Sequence, residues 1–577
     1  MQSMIHLQSV GQREIGSRQL RNNNNNNVYN VNKFVLFASD DNGDLMEQMR
    51  RTLGEKEDVF AAAEAENKQA LKGLRDLDRD PNLKVNNKLI DWLASNGVWV
   101  KAVSTWGRAP HPLVIASETE DDGESCGRGL LARESMGEGE LMMTIPLDLC
   151  LTKFAAQEKF GKAIVPDYMD EYIAIALILI SEKLLGAESR WKPYIDILPT
   201  KEDVYPSFIW SDEELELLRG SPTFAASKSL KAKIDKEYIE VVETVLKRYP
   251  AEFPLEKYNP EIFTWAFVML LSRAARLSSK LNGEELALVP YADLMNHNPY
   301  SNTYIDAQRS GMPLISRTEE VAVYADRSYK KFEQVFINYG EKGNGDLLLL
   351  YGFALDRNPF NSVDITVGLS KEDPLYLQKK SYLDKNGRTA PSVRFPLQAA
   401  RYPSELIDFL RFLLVESEDL GMQELVRTDF NEPISPSLER RVLATLVSIC
   451  ESYLEQYANS VEEDERLMMD RKMFGTLNRR QRMAVKLRAS EKRILLATIK
   501  AVNDELLKLP AVVTDEQPMM AAGRSFDTLK SKTTVQNAKS TLDWVEIKGS
   551  KDKATAGDET ADQKASVAER RRRRRQG

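Results

Sequence analysis

Apolar and polar positions divide the chain into strand-rich and helix-rich stretches. The segment LIDWLASNGVWV, which starts at Leu89, has the spacing of a short amphipathic helix that ends at Gly97 and leads into a strand. From Leu113 to Leu151, short apolar stretches alternate with glycines, a pattern typical of short strands joined by tight turns. The folded body is therefore predicted to start near Leu89 and to be β-rich at first.

A helical pattern interrupts this β region. Between Asp167 and Arg276, apolar residues recur every three or four positions in YIAIALILISEKLL, DKEYIEVVETVLKRY and PEIFTWAFVMLLSRAARL. Strand-like stretches return from Leu286 to Phe353, including AVYADRSY and EQVFINYG. The β domain is thus predicted to be discontinuous in sequence, with a group of helices inserted into it.

A second helical region follows the β domain. One more strand-like stretch, NSVDITVGL, precedes apolar positions at helical spacing from Ser404 to Leu507, in ELIDFLRFLLVE, RRVLATLVSICESYLEQY and EKRILLATIKAVNDELL. The predicted organisation is a low-complexity or targeting segment at 1–39, a charged helical lead-in at 40–88, a β domain at 89–360 with a helical insert at about 160–276, a separate helical domain at 361–511 and a disordered tail at 512–577.

Composition narrows the class of protein. The 577 residues are 42% hydrophobic and 29% charged, as in globular proteins of several domains. The long apolar run from Tyr172 to Ile180 is too short to span a bilayer, so no membrane association is expected. The cysteines Cys126, Cys150 and Cys450 are far apart, and only three histidines are present, which argues against a disulfide framework, a zinc site and a metal hydrolase. A reduced, intracellular protein without a metal is predicted.

Charge is distributed unevenly along the chain. The net charge of -8 argues against a folded region that binds nucleic acid. The arginine run from Arg570 to Arg575 is an exception. Its composition is that of a nuclear signal, of a contact for a polyanion, or of a solvated chain end. Residues 1–39 hold four basic residues and one acid, Glu14, together with an asparagine run at 22–27. The compartment therefore stays open among a plastid or other organelle, the cytoplasm and the nucleus.

Three motifs contain residues suited to binding and catalysis. In the first, Gly-Arg-Gly-Leu at 127–130, the glycines allow the backbone to approach a ligand closely. In the second, VPYADLMNHNP at 289–299, the Asn296 carboxamide offers both donor and acceptor atoms. In the third, FINYG at 336–340 is followed by Tyr-Gly-Phe at 351–353, whose rings supply apolar surface and whose tyrosine hydroxyls orient polar groups.

In this order the three motifs resemble those of SET-domain protein methyltransferases. The segments 188–199 and Trp265 to Leu277 are similar to the plant Rubisco large-subunit lysine methyltransferase type, and residues 477–492 resemble its C-terminal substrate-binding domain. The resemblance runs from about Leu89 to Leu507. It implies an α+β fold, in which a SET-domain β fold with a helical insert is followed by a mainly α-helical substrate-binding domain.

The resemblance also implies an activity, a cofactor and a set of site residues. It implies that S-adenosylmethionine donates a methyl group to a lysine of a non-histone protein, that Tyr339 is catalytic, and that the enzyme acts as a monomer without metal or nucleic acid. The implied cofactor-binding residues are Cys126, Arg128, Arg273, Asn296, His297, Tyr339 and Tyr351. The implied substrate-binding residues are Ser272, Arg276, Asp293, Tyr304 and Phe353.

The chemistry of methyl transfer suits such a site. The reaction needs an electrophilic sulfonium and an uncharged amine aligned on one axis, and an apolar aromatic channel lowers the pKa of the lysine amine. A related SET branch methylates histidine on actin-like substrates, and a non-catalytic binding module with the SET fold is a further alternative. Phe353 favours lysine over histidine, and the intact motifs with Tyr339 favour an enzyme.

Overall fold

The computed structural model describes residues 80–98, 112–121, 124–279, 283–303, 305–309, 319–387, 392–420, 425 and 428–509. Within this part of the chain there are two compact units. Unit 1 contains 80–149, Pro290–His297 and Ser301–Ile337, and unit 2 contains Cys150–Val289, Asn298–Tyr300 and 338–509. The predicted segment 1–39, most of the lead-in at 40–88, and the tail at 512–577 with its arginine run lie outside the described residues.

The regular elements follow one another in an order that mixes strands and helices. They are α1 (Leu83–Ser95), β1 (Leu113–Asp121), β2 (Glu124–Ala132), β3 (Leu141–Pro146), β4 (Leu151–Thr152), α2 (Lys153–Phe160), α3 (Glu171–Leu185), α4 (Lys192–Ile195), α5 (Asp212–Leu215), α6 (Pro222–Val241), α7 (Pro260–Arg273), β5 (Ala275–Ser279), β6 (Gly283–Leu288), β7 (Asn296–His297), β8 (Asp306–Arg309), β9 (Glu319–Tyr324), β10 (Gln334–Ile337), α8 (Asn344–Leu350), β11 (Val363–Gly368), α9 (Tyr376–Lys385), β12 (Ser392–Leu397), α10 (Ser404–Leu414), α11 (Ser417–Leu420), α12 (Pro436–Leu454), α13 (Val461–Met469), α14 (Arg471–Thr476) and α15 (Arg479–Leu506).

Two small sheets form unit 1. The first has the order β1-β2-β10-β7, antiparallel except for the parallel pair of β7 and β10, and the second has the order β3-β9-β8. Side chains that alternate along these strands, such as Leu113, Ile115 and Leu130, are buried, whereas the positions between them are more exposed. The β structure predicted from Leu113 onwards is confirmed.

Helix α1 begins at Leu83, inside the predicted helical lead-in at 40–88 and before the predicted start of the folded body near Leu89. The Asp80 carboxylate accepts hydrogen bonds from the backbone N–H groups of Asn82 (2.7 Å) and Ser117 (2.8 Å), so the chain is anchored to β1 before the helix starts at Leu83. The few apolar residues of this first turn explain why the folded body was predicted to start later, at Leu89. The helix ends before Gly97, as predicted, and Gly97 has a φ of 82°. The strand predicted after it falls on residues 99–111, which lie outside the described residues.

The predicted helical insert is present in unit 2, and its central helix is α3. The Asp170 side chain caps the helix by accepting from the backbone N–H of Tyr172 at 2.8 Å, and Gly186, with a φ of 57°, ends it. Its residues from Ile173 to Glu182 are all buried. The apolar run is therefore a core helix.

No helix in the described ranges is both long enough and apolar enough to cross a membrane.

Helices α10, α12 and α15 pack against the antiparallel pair of strands β11 and β12 in the C-terminal part of unit 2, where helices were predicted. Their shared core contains Val363, Ile365, Leu397, Leu406, Leu410, Leu438, Val442, Leu446, Leu495 and Val502. The pattern did not predict α9 or β12, because their residues 376–397 mix charged, polar and proline positions without a clear period.

Helix α15 also belongs to a second core. Near its N-terminal end, Met483, Ala484 and Leu487 pack against Trp210 and Leu218 of the insert, together with Leu215, Leu348 and Ala354. Gly220 allows a related close approach, because a Cβ at this position would lie 2.6 Å from the backbone nitrogen of Tyr457. The insert and the C-terminal helices of unit 2 are therefore packed together rather than separate.

A buried charge cluster ties α13 to α15. Asp464 accepts two hydrogen bonds from Arg488, at 2.7 and 3.2 Å, and one from Lys492 at 2.7 Å. Lys492 also donates to the carbonyls of Asn459 (2.8 Å) and Ser460 (2.7 Å). The side chains of Asp464 and Lys492 are each 2% exposed, so these interactions are shielded from water.

Glu491, on the same helix, is expected to make stability depend on pH. It is buried and accepts hydrogen bonds from Ser221 and Tyr457, both at 2.9 Å, and burial raises its pKa to about 7. A raised folded-state pKa means that the stabilisation is fully present below the unfolded pKa and is lost as the pH rises towards 7. From pH 5 to 8, this group should lower the free energy of unfolding by up to about 3 kcal/mol. Glu491→Gln should remove that dependence in urea titrations at each pH.

The control for this prediction is Glu455→Gln, because Glu455 lies exposed just beyond the end of α12. The control variant should keep the parent's pH dependence. A Glu491→Gln protein with the same pH dependence as the parent would contradict the assignment.

Candidate active site

The first motif places a glycine where the backbone must approach another side chain. Gly127 has a φ of 70°, in the left-handed region that favours glycine, and a Cβ there would meet no atom within 4 Å. A Cβ at Gly129 would lie 2.7 Å from the side-chain nitrogen of Asn296 and 2.7 Å from the side-chain oxygen of Gln334. Glycine at 129 thus allows strand β2 to pack directly on the Asn296 carboxamide.

Asn296 and His297 form β7, which runs parallel to β10. The register pairs Phe336 with Asn296 and Ile337 with His297. The Asn296 amide nitrogen donates to the side-chain oxygens of Gln334 (2.9 Å) and Thr119 (3.0 Å), and to the carbonyl of Arg128 (3.3 Å). These bonds fix the orientation of the carboxamide, and they bring the first and second motifs together within unit 1.

Gln334 and Thr119 were not predicted as site residues. Both are buried polar side chains on strands, and Gln334 also donates to the carbonyl of Glu120 at 3.3 Å. A glutamine at a buried position of the stretch EQVFINYG was the available signal, since buried polar groups are retained where they have partners. Gln334 and Thr119 fix the orientation of the Asn296 side chain through these hydrogen bonds.

The remaining predicted residues of unit 1 lie on or near the same strands. Cys126 and Arg128 are half-buried on β2, and the Cys126 thiol lies 3.7 Å from the carbonyl of Glu124. Asp293 is buried in the short helical turn that follows Tyr291, and His297 is buried on β7. Tyr304 lies outside the described residues.

Tyr291 anchors the second motif. It is fully buried, it has a φ of 74°, and its hydroxyl donates to the carbonyl of Leu113 at 3.2 Å. Burial raises the pKa of Tyr291, and the nearby Arg133 guanidinium opposes this change. The hydroxyl thus stays protonated and holds the turn that precedes Asn296.

The third motif forms an aromatic cluster in unit 2. Tyr339 and Tyr351 are stacked, with ring centroids 4.7 Å apart and an interplanar angle of 23°, and Phe353 lies 6.2 Å from Tyr351 at an angle of 57°. Burial raises the pKa of Tyr351, and Tyr339, Tyr172 and Asp346 add to this increase. The structure thus brings the three predicted aromatic residues together, with a neutral hydroxyl on Tyr351.

The other predicted residues of unit 2 lie at the end of α7 and on β5. Ser272 donates its hydroxyl to the carbonyl of Val268 in its own helix at 2.6 Å, and Arg273 is the half-buried last residue of α7. Arg276 donates to Glu171 at 3.0 Å. No predicted role for Glu171 or for its neighbour Tyr172 came from the sequence.

Comparison with known proteins identifies the family. Residues 127–340 match the model of the SET domain, and residues 370–495 match that of the Rubisco LSMT substrate-binding domain. The chain is 30% identical, over 66% of its length and 78% of the relative, to the chloroplastic [fructose-bisphosphate aldolase]-lysine N-methyltransferase of Arabidopsis thaliana. This chain belongs to the SET-domain methyltransferases of the Rubisco LSMT type.

Further relatives and a solved structure agree with this family. The Rubisco large-subunit N-methyltransferase of Nicotiana tabacum is 30% identical over 64% of this chain and 74% of that protein. A crystal structure of the SET domain of LSMT bound to lysine and AdoHcy matches with a TM-score of 0.62 and 25% identity, covering 78% of this chain and 99% of that one. The predicted fold class, enzyme class and cofactor are confirmed: the SET methyltransferase is a protein-lysine N-methyltransferase that uses S-adenosylmethionine.

Actin-histidine N-methyltransferases are also relatives of the SET methyltransferase. The Drosophila melanogaster protein is 29% identical over 51% of this chain and 56% of that protein, and the human protein is 27% identical over 66% and 64%. The histidine branch was the alternative within the enzyme class, and it shares the fold.

Asn296→Ala is expected to weaken S-adenosylmethionine binding by about 1–3 kcal/mol, roughly 5- to 150-fold in Kd, because a buried cofactor group would lose its partner. Isothermal titration calorimetry measures this effect. Since Asn296 also bonds Thr119 and Gln334, the melting temperature must be recorded on the same sample. Asn302→Ala, at an exposed asparagine of unit 1, is the control and should leave Kd unchanged. Parent affinity in a folded Asn296→Ala protein would exclude the cofactor from this turn.

Proposed function

We propose that this SET methyltransferase methylates a lysine of a non-histone protein and that Tyr339 acts beside the reacting amine. The stacked cluster of Tyr339, Tyr351 and Phe353 is the observation that carries the proposal. The relatives that methylate aldolase and the Rubisco large subunit support a substrate outside the histones. The net charge of -8 supports a protein partner rather than a nucleic acid, and a monomer is the proposed state.

The residues in unit 1 fit a cofactor with both charged and polar groups. The open space beside the Gly127 backbone leaves room for a ligand, and the Asn296 carboxamide carries both a donor and an acceptor. We assign cofactor binding to Cys126, Arg128, Arg273, Asn296, His297, Tyr339 and Tyr351. When bound, S-adenosylmethionine supplies an electrophilic methyl group on a sulfonium centre. Arg273 is the proposed partner of its carboxylate, because a guanidinium fork matches that group.

The aromatic cluster is proposed to prepare the amine. A lysine amine is protonated at neutral pH, and apolar rings disfavour its charged form, so they lower its pKa and leave the lone pair available for attack. Phe353 and Tyr351 would pack on the aliphatic stem, and the Tyr339 hydroxyl would orient the nitrogen. Ser272, Arg276, Asp293 and Tyr304 are the other proposed contacts of the substrate. The Ser272 hydroxyl donates within its own helix, which leaves its lone pairs as acceptors.

Residues 370–495 are proposed to recruit the protein substrate, since they match the substrate-binding model of the family. Because α15 also completes the core around Trp210, deleting this region would damage the insert as well as recruitment. Point substitutions on the domain surface are therefore a cleaner test of recruitment than truncation.

The substrate is identified by direct labelling. The purified enzyme is incubated with radiolabelled S-adenosylmethionine and each of three proteins, plastid fructose-bisphosphate aldolase, Rubisco large subunit and actin, and the labelled residue is mapped by mass spectrometry. We expect methyl-lysine in aldolase or Rubisco and an unlabelled actin. Label on actin alone, or on none of the three proteins, would exclude both aldolase and the Rubisco large subunit as substrates.

A further inference from the structure

Glu171 joins a helix to two neighbouring strands. It is the first residue of α3, and one of its carboxylate oxygens accepts from the Arg276 guanidinium at 3.0 Å while the other accepts from the backbone N–H of Leu286 at 3.0 Å. Arg276 on β5 and Leu286 on β6 are directly opposite each other in the antiparallel register. One carboxylate therefore fixes the side chain of Arg276 relative to the strand pair that carries it.

Tyr172, the next residue, lies beside the same guanidinium, and Arg276 favours the ionised form of its hydroxyl. It also lies close enough to Tyr351 to raise the pKa of that tyrosine, and Tyr351 in turn is stacked on Tyr339. Burial raises the pKa of Tyr172 itself, although Arg276 opposes this, so the ring remains neutral. Glu171 and Tyr172 thus both adjoin the Arg276 guanidinium, and Tyr172 lies near the stacked pair of Tyr351 and Tyr339.

The Arg276 side chain is 46% exposed, and the Glu171 side chain is 28% exposed. An ion pair with this much exposure contributes little to stability, because water screens the charges. It does restrict a long side chain that otherwise samples many rotamers, and restricting reactive or binding groups to one geometry raises the rate of positioned reactions. The main effect of the ion pair is therefore to fix the orientation of the Arg276 side chain.

We propose that Glu171 and Tyr172 are positioning residues for methyl transfer, Glu171 by holding the Arg276 guanidinium through its carboxylate and Tyr172 by placing its hydroxyl beside the same guanidinium. The inference rests on the proposed function, in which Arg276 contacts the protein substrate and Tyr339 contacts the amine. Neither Glu171 nor Tyr172 touches the reacting atoms in this scheme. Their effect passes through Arg276.

The test compares Glu171→Gln and Tyr172→Phe in the parent and in an Arg276→Ala background. The substrate is whichever of plastid aldolase, Rubisco large subunit and actin the parent methylates fastest. Each single variant should lower kcat by roughly 5- to 20-fold, with KM for S-adenosylmethionine within about two-fold of the parent. In the Arg276→Ala background the same substitutions should change kcat by less than about two-fold, because residues that act through one partner are not additive. Tyr168→Phe, at a tyrosine 91% exposed just before α3, is the matched control and should retain the parent kcat.

The outcomes separate this inference from the proposed function. An active parent whose Tyr172→Phe and Glu171→Gln variants keep the parent kcat would overturn the positioning role alone. Effects that are fully additive with Arg276→Ala, or that follow a fall in melting temperature and in cofactor affinity together, would also overturn it. A parent that transfers methyl groups to none of the three proteins would overturn the proposed substrates, and with them the Arg276–substrate contact on which the inference rests.

Discussion

Replacing Tyr339 by phenylalanine is expected to slow methyl transfer by about 100-fold or more while S-adenosylmethionine affinity stays within a few-fold of the parent. The substitution removes the hydroxyl that orients the amine but keeps the ring that stacks on Tyr351 at 4.7 Å. Because the stacking and burial survive, the melting temperature should hardly change. Single-turnover rates, calorimetric Kd and thermal unfolding on one preparation measure the three quantities.

Tyr457→Phe provides the contrasting case. The Tyr457 side chain belongs to the core of the C-terminal helices, and its hydroxyl donates to the buried Glu491 at 2.9 Å. Its loss should lower the melting temperature, because a buried acceptor loses its donor, and leave the rate per folded molecule unchanged. If Tyr339→Phe behaved like Tyr457→Phe, the hydroxyl of Tyr339 would be structural and its catalytic role would be withdrawn.

Asp464→Ala is expected to destabilise the protein by about 3–5 kcal/mol. The substitution removes the carboxylate that pairs with Arg488 at 2.7 Å and with Lys492 at 2.7 Å, and both cations are held on α15 away from water. Two buried positive charges would then remain close to each other without that partner. Urea unfolding followed by tryptophan fluorescence measures the change.

The control for this prediction is Asp167→Ala. Asp167 pairs with Lys162 at 3.0 Å, but the two side chains are 75% and 69% exposed. Water screens an exposed pair of this kind, so the control variant should unfold close to the parent midpoint. An Asp464→Ala protein no less stable than Asp167→Ala would show that the buried cluster does not hold α13 to α15.

Local sequence signals were sufficient for much of the fold. The insert helix α3 was recognisable because its apolar residues lie within one short stretch of sequence and recur at helical spacing. Each of the motifs at 127–130, 289–299 and 336–353 likewise lies within one short stretch of sequence. Their order along the chain matched that of a known family, and this resemblance indicated the roles of their residues, which periodicity alone does not indicate.

The contacts around the motifs could not be predicted from the local sequence. The hydrogen bond from Asn296 to Gln334 depends on the register of β10 with its neighbours, and a shift by one residue would turn Gln334 to the other face. Glu171 is 105 residues from Arg276 and 115 from Leu286, so no local pattern connects them. Similarly, the hydrogen bond by which Ser117 ties Asp80 to β1 spans 37 residues of sequence.

The shared core of the insert and α15 constrains the timing of folding during synthesis. Ser221 meets Glu491, and the Leu217 carbonyl accepts from Arg488, across 270 and 271 residues of chain. At a translation rate of about 5–20 residues per second, the apolar face formed by Trp210 and Leu218 waits roughly 15–55 s for its covering helix. Throughout that interval the nascent chain lacks the helix that covers this apolar surface, so completion of unit 2 follows, rather than accompanies, translation of the insert.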